Sequence, residues 1–430
     1  MTSISLHRQN KSKRGGQALL AQYREVRRAS EALSENLSDA DTTVQSMEDA
    51  SPVKWHLAHV SWFFEGVILQ PFLKDYHVFD EAYNFLFNSY YEVAGERQPR
   101  PRRGMLTRPS LGEVLAYRQH IDTHMGKLLA GPVTGELQQL VELGLNHEQQ
   151  HQELLLTDIL HLFAQNPLKP CYRDPEPLAY DTGKTLASGL KAFGGGLLDF
   201  GAEQSGAFHF DCEGPRHKQL VHPFNLARSP VTNREWIGFI EDSAYENPLL
   251  WLSDGWAAAL ANTWSAPLYW EKREDGWWSM TLRGMQPVDL DAPVCHVSYF
   301  EAEAYATWAG KRLPTEFELE LAAADQVIEG NFSSSSRLRP APVVAREDGA
   351  VAGLYGDVWE WTSSSFSPYR GFKPFEGMVG EYNGKFMSGQ QVLRGGSCAT
   401  PCGHMRSTYR NFWHPQKRWQ FTGLRLAEDS

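Results

Sequence analysis

Leu137, Leu140, Gly144, His147, His151 and Leu154 recur three or four residues apart, the spacing of one face of an amphipathic helix. From Asn146 onward the segment contains no Gly or Pro and runs into the apolar stretch Leu154-Leu155-Leu156, so it reads as the middle of a helix. His147 and His151 stand four apart and lie one above the other on that face. Both imidazoles therefore point inward. A buried imidazole pair without a partner is costly, and a metal ion is the usual remedy.

The same patterning predicts three more helices before this one. Gln17 to Leu37 carries good helix formers with no Pro or Gly. Ser51-Pro52 reads as a cap followed by Pro at the first helical position, opening a run from Val53 through Trp55, His56, His59, Trp62 and Glu65 to Pro71. Ser110-Leu111-Gly112-Glu113 is a capping box for a third helix ending near Gly131-Pro132. Thr134 caps the helix with the histidine pair, which stops before Pro167. Residues 17–166 are thus expected to form an up-and-down four-helix bundle, with a long connection between the second and third helices.

Beyond a Pro-rich polar linker at 167–190 the pattern changes. Gly194-Gly195-Gly196-Leu197-Leu198-Asp199-Phe200-Gly201 begins short strands punctuated by glycine. Capped helices are expected after Thr232, after Ser298 and after Thr315, the last a Thr315/Glu318 capping box. The remainder to Leu426 has little helical period. Residues 191–430 read as one irregular, aromatic-rich domain, so the fold class is α+β: a helical bundle followed by a mixed domain.

Composition narrows the function classes. The 430 residues suit two domains, and 42% hydrophobic with 22% charged residues is ordinary for a soluble globular chain. A formal net charge of -11 argues against a general binder of nucleic acid or anionic membrane. No apolar run is long enough to span a bilayer. Residues 1–16 are polar and basic, with Lys11, Lys13 and Arg14, and read as a disordered tail rather than a signal peptide. Five widely spread cysteines suggest reduced thiols and a cytoplasmic protein.

His147-Glu148-Gln149-Gln150-His151 fits two chemistries. One is the zinc-peptidase pattern H-E-x-x-H, with Glu148 as general base. The positions where a metzincin needs Gly and His hold Leu154 and Thr157, so that variant is absent. The other is a metal pair in a bundle, completed by a third ligand from another helix. His56 and His59 are both open as that ligand, and Ala58 beside His59 leaves room for metal and substrate. Three neutral histidines suit iron or zinc. The connection from Phe85 to Gly104 is unusually long for a bundle, which points to a functional loop. Its Tyr90-Tyr91 pair can donate a proton to a metal-bound oxygen species. Its four arginines can grip a carboxylate.

Several motifs of the second half resemble the formylglycine-generating-enzyme (sulfatase-modifying factor) domain, which has a C-type-lectin-like fold. They are Val297-Ser298-Tyr299, Gly310-Lys311-Arg312-Leu313-Pro314-Thr315-Glu316, Gly356-Asp357-Val358-Trp359-Glu360-Trp361-Thr362, Leu393-Arg394-Gly395-Gly396-Ser397 and Gly423-Leu424-Arg425. The first half, with His147, His151 and Glu153 in H-x-x-x-H-x-E, resembles a DinB-type bundle. The two in this order resemble the EgtB family of ergothioneine-biosynthesis sulfoxide synthases. That resemblance implies Fe(II) bound by His59, His147 and His151, with O2 as co-substrate and hercynine and cysteine or γ-glutamylcysteine as substrates. It implies that Gln150, Asn411 and Trp413 contact hercynine, the indole facing its quaternary ammonium. Tyr90 and Tyr91 match one branch of the family as proton donors, with Tyr369 the competing candidate. Arg97, Arg100 and Arg103 are assigned to the thiol substrate's carboxylate.

Other readings stay open. A selenoneine synthase would take a selenosugar in place of the thiol. An ovothiol-type 5-histidylcysteine sulfoxide synthase usually carries a methyltransferase domain, for which this chain has no glycine-rich signature. A zinc peptidase would depend on Glu148, and a lectin-like binding protein would need neither iron nor O2. Formylglycine-generating chemistry proper would use cysteines such as Cys398 and Cys402, which the iron-type bundle makes superfluous. A structural calcium in the second domain is left open.

Overall fold

The structure is a computed structural model and describes residues 2–176, 185–203 and 207–430. The chain divides into two compact units. One is Met1–Gln165 together with Phe375–Tyr382, and the other is Asn166–Pro374 with Asn383–Ser430. The division falls where the helical period ends, with one exception: the short segment Phe375–Tyr382, read as part of the second domain, belongs to the first unit.

The first unit is the expected bundle, built on the helices Thr2–Ala32, Val53–Phe63, Leu111–Leu129 and Gly135–Gln165. The first of these is drawn as helical backbone from Thr2. No proline interrupts it, and Gly15-Gly16 is tolerated inside the helix. The Ser110 capping box forms as expected, and Thr134 accepts from the Leu137 amide at 3.2 Å. Ser51 does not cap the second helix. Pro52 takes that position without a side-chain bond, while the Ser51 amide donates to Asp158 and its hydroxyl accepts from Arg103.

Every residue of Val53–Phe63 is buried, so this helix is the axis of the unit rather than an amphipathic wall. It does not run unbroken to Pro71. A π-helical turn, Phe64–Leu69, widens it before the last turn Gln70–Phe72. The turn carries buried Glu65, whose carboxylate accepts from the Tyr76 hydroxyl at 2.6 Å, the Tyr117 hydroxyl at 2.5 Å and the Phe79 amide at 3.0 Å. The aromatic period that predicts a continuous helix carries no sign of this widening. Opposite it, Gly144 lets the fourth helix approach, since a Cβ there would lie 2.7 Å from the Phe64 ring.

Glu148 knots the four helices together. Its two oxygens accept from Arg27 at 3.0 Å and Arg118 at 2.9 Å, and all three side chains are buried. Arg27 also donates to Asp122 at 2.7 Å and Ser61 at 2.9 Å, and Arg118 to the carbonyls of Leu57 and Arg27, both at 3.1 Å.

In the second unit, a four-stranded sheet places Asn411–Trp413, Gln391–Arg394, Trp359–Ser365 and Thr422–Gly423 side by side. The first two pairings are antiparallel and the last is parallel. Small sheets surround it, including Leu190–Phe193 with Phe224–Ala227 and Ala427–Asp429. The helices Asn233–Glu241, Tyr299–Trp308 and Glu316–Ala323 all carry the expected caps, each of them a full capping box. Of the expected linker, 177–184 lies outside the described residues. What precedes and follows it is docked, for Tyr172 and Arg173 donate to the Leu282 carbonyl and Leu186 bridges to Val344.

The Glu148 carboxyl sits at about 2: burial alone would raise it, but Arg27 and Arg118 together outweigh that effect. Its contribution is therefore complete above the unfolded carboxyl value near 4.3 and is lost as pH falls toward 2. Glu148→Gln leaves two buried guanidinium groups without their anion and is expected to destabilise the bundle by about 3 to 5 kcal/mol. Chemical denaturation at neutral pH followed by helix circular dichroism checks this, and a midpoint equal to wild type contradicts it.

Candidate metal centre

The second and fourth helices bring His59, His147 and His151 together, with ligand nitrogens all within 4.8 Å of one another. His59 Nε2 faces His147 Nε2 at 3.2 Å. His59 is held from three sides. Trp55 stacks on its ring at 4.7 Å between centroids and Trp62 at 5.6 Å, while its Nδ1 lies 2.6 Å from the Phe87 carbonyl. A carbonyl only accepts, so Nδ1 carries the proton and Nε2 presents its lone pair to the cluster. Burial holds His147 down at about 3, and burial followed by the neighbouring imidazoles holds His59 and His151 well below the ordinary histidine range. All three are therefore neutral near pH 7, as metal binding requires.

His59 Nε2, bare of hydrogen, faces His147 Nε2 across a gap that only a proton on His147 or a cation can bridge, and His147 Nδ1 is buried without a hydrogen-bond partner among the described residues. A cation among the three rings resolves the first of these, so the residues fit a metal ion. The donor set contains no carboxylate or thiolate, which suits borderline metals such as iron or zinc and not calcium. Among the described residues no second group of three His, Cys, Asp or Glu side chains gathers in this way, so no such cluster marks a calcium site in the second unit.

His56, the other ligand candidate, does not join the three. Its Nδ1 lies 2.8 Å from His151 Nδ1 and its Nε2 lies 3.0 Å from Asp158 Oδ2. Glu148 follows His147 in sequence yet points away from it into the Arg27–Arg118 pair, since adjacent helical residues diverge by about 100°. The base of the peptidase reading is thus an engaged structural anion.

The long loop contributes unevenly. Tyr90 and Tyr91 stack at 4.6 Å, with Tyr91 fully buried against Trp62 and Phe63. Arg97 pairs with Glu92 at 2.7 Å, and exposed Arg100 donates to the Asp49 carbonyl, so both are turned to local partners. Arg103 turns inward. Its guanidinium lies 3.4 Å from the Trp55 ring centroid and donates to Ser51 and Ser89. It is 2% exposed, and among the described residues no carboxylate lies within ion-pair distance of it. A buried cation so placed is costly unless an anion arrives.

Sequence reasoning missed Tyr382. This residue, from the segment Phe375–Tyr382, lies 5.5 Å from His147 between ring centroids, and its hydroxyl donates to Gln150 Oε1. Its ring also approaches Tyr90 at 6.5 Å. Neighbouring Glu381 fastens the segment by accepting from the amides of Glu92 at 3.1 Å and Val93 at 3.0 Å. The available signal was an aromatic residue inside a glycine-punctuated loop, Gly377-Met378-Val379-Gly380-Glu381-Tyr382-Asn383-Gly384.

The remaining candidates lie in the second unit. Tyr369 is locked in its core, donating to Glu316 at 2.9 Å and accepting from Arg394 at 3.2 Å beneath Arg410, which leaves it no free proton to give. Asn411 and Trp413 form a half-buried edge strand, where Trp413 packs edge-on against Trp419 at 4.9 Å. Cys398 is buried and Cys402 exposed, and neither forms a disulfide.

Residues 22–155 match the DinB superfamily, and 192–345 with 327–430 match the sulfatase-modifying factor enzyme 1-like domain. The chain is 32% identical to the hercynine oxygenase of Mycolicibacterium thermoresistibile, over 92% of this chain and 91% of that one. It is 38% identical to the hercynine oxygenase of Mycolicibacterium smegmatis, over 67% of this chain and 71% of that one. A formylglycine-generating enzyme of Thermomonospora curvata is 29% identical over 57% of this chain and 94% of that one. With both domain matches, a relative at 32% identity along nearly the whole length and another at 38% over two thirds of it, the chain belongs to the EgtB-type hercynine oxygenase family.

Proposed function

We propose that this chain is a nonheme iron, O2-dependent sulfoxide synthase of ergothioneine biosynthesis. It joins C2 of the hercynine imidazole to the sulfur of cysteine or γ-glutamylcysteine. One C–H and one S–H bond break, and one C–S and one S–O bond form. O2 accepts four electrons; one of its oxygens stays on sulfur and the other leaves as water. The observation that carries the reading is the neutral cluster of His59, His147 and His151, free of carboxylate, with a phenol beside it. The names of the relatives, hercynine oxygenases, support the substrate.

Fe(II), which His59, His147 and His151 would hold, would supply oxygen activation and a site for the substrates to meet when bound. The chain's own residues do the rest. Tyr382 holds a proton on its hydroxyl oxygen, aimed by Gln150, and delivers it beside His147. Tyr91, whose phenol is pushed well above its ordinary value by burial and then by Tyr90 and Tyr382, stays protonated and backs Tyr90. Arg103, stacked on the indole that stacks on His59, takes the carboxylate of the thiol substrate. Arg97 and Arg100 steer that carboxylate from the loop surface. Gln150 also orients hercynine. Asn411 and Trp413 are assigned to hercynine on the family resemblance, the indole suiting its trimethylammonium group.

With Fe(II), hercynine and cysteine or γ-glutamylcysteine in air, the protein is expected to yield a product with the mass of both substrates plus one oxygen less two hydrogens. No such adduct with either thiol, or equal turnover with zinc in place of iron, overturns the reading. Tyr382→Phe is expected to keep the metal and lose adduct formation by about 10²-fold or more, with thiol consumed without C–S bond formation. Product ratios from Tyr382→Phe, Tyr90→Phe and Tyr91→Phe decide the donor, and a wild-type ratio from Tyr382→Phe removes Tyr382 from the chemistry.

A further inference from the structure

His56 and Asp158 are absorbed by none of the roles above, yet both are buried against the cluster. His56 lies three residues before His59, one turn back along a helix whose every side chain is enclosed. Asp158 lies seven residues after His151, two turns along the same helical face. Between them His56 bridges two partners, Asp158 Oδ2 at 3.0 Å and His151 Nδ1 at 2.8 Å. The same Asp158 oxygen accepts from the Ser51 amide at 2.7 Å, which fixes the carboxylate at the start of the second helix.

The protons can be placed along this chain. An ionised carboxylate only accepts, so His56 Nε2 carries hydrogen. With the hydrogen of the His56 imidazole on Nε2, the lone pair on Nδ1 can only accept from His151 Nδ1–H. That leaves His151 Nε2 as the bare nitrogen, the atom a metal needs. The opposite arrangement would put a hydrogen on His151 Nε2 and remove it from the ligand set. His59 reaches the same tautomer through the Phe87 carbonyl. For His151, half-buried and at the middle of its helix, the helical carbonyls are already engaged and another imidazole takes that role.

We propose that Asp158 and His56 form a positioning relay that fixes the tautomer and ring orientation of His151 and thereby sets the metal affinity of the centre. This rests on the metal reading given under Proposed function. Groups that orient a metal-bound histidine commonly change metal affinity 10- to 100-fold. His56 is thus a positioning residue and not a spare ligand.

The test is cobalt(II) titration of the apoprotein, followed by visible d–d absorption, for wild type, Asp158→Asn, His56→Leu and His56→Gln. His56→Leu is expected to weaken cobalt binding about 10- to 100-fold and to alter the spectrum, while His56→Gln, whose amide oxygen can accept from His151 Nδ1–H, recovers most of the loss. Asp158→Asn is expected to fall between them. A purely structural role predicts that Leu and Gln weaken binding alike, and that result, or wild-type affinity in His56→Leu, overturns the proposal. Should the variants fail to fold, the nitrogen-15 shifts of the wild-type apoprotein decide: a proton on His151 Nδ1 supports the relay and one on Nε2 refutes it. Failure of the wild type to bind cobalt or iron removes the metal reading instead, and the tautomer measurement still judges the relay on its own.

Discussion

The bundle depends on one buried anion with two cations. Three charges taken out of water cost several kcal/mol each, and that cost is recovered only when every donor and acceptor finds a partner. Glu148 receives a guanidinium on each oxygen, and the guanidinium groups use further donors on Asp122, Ser61 and two backbone carbonyls. The partners come from all four helices, so rotation of any one of them about its axis would leave a charge bare. Glu148 is covalently next to His147, and the register that satisfies the ion cluster on one side therefore sets the imidazole on the other.

That arrangement explains why a short motif was both informative and misleading. The spacing of His147 and His151 made two histidines on one helical face legible, because four residues is a full turn and nothing in the local sequence breaks the helix. Glu148 was read as a possible base, because a pattern of letters says nothing about which way the adjacent side chain points once four helices have packed. The caps at Ser110, Thr134, Ser298 and Thr315 were legible for the same local reason as the histidines: each satisfies amides within three residues of itself.

What was not legible is non-local. Arg97, Arg100 and Arg103 look alike in sequence, and only packing separates the first two, with nearby oxygen partners, from the third, laid on Trp55. Which of His56 and His59 joins the other two histidines was open until the partners of each ring were known, one a carbonyl and the other a carboxylate. Tyr369 was attractive as a phenol in a long loop, yet Glu316 and Arg394 hold it in a closed core network. Tyr382 lies 235 residues from His147, counted as 382 less 147, beyond any periodicity a window can detect.

The excursion Phe375–Tyr382 has a consequence for how such a chain can be assembled or inherited. A polypeptide ended after Gln165 would keep every imidazole and the ion cluster that holds them in register, but it would lack the phenol and the carboxylate clasp on the tyrosine loop. Exchange of whole gene segments at the apparent border between bundle and sheet-rich half would therefore pair the three histidines with a different loop, and a bundle moved alone would need the Phe375–Tyr382 segment carried with it.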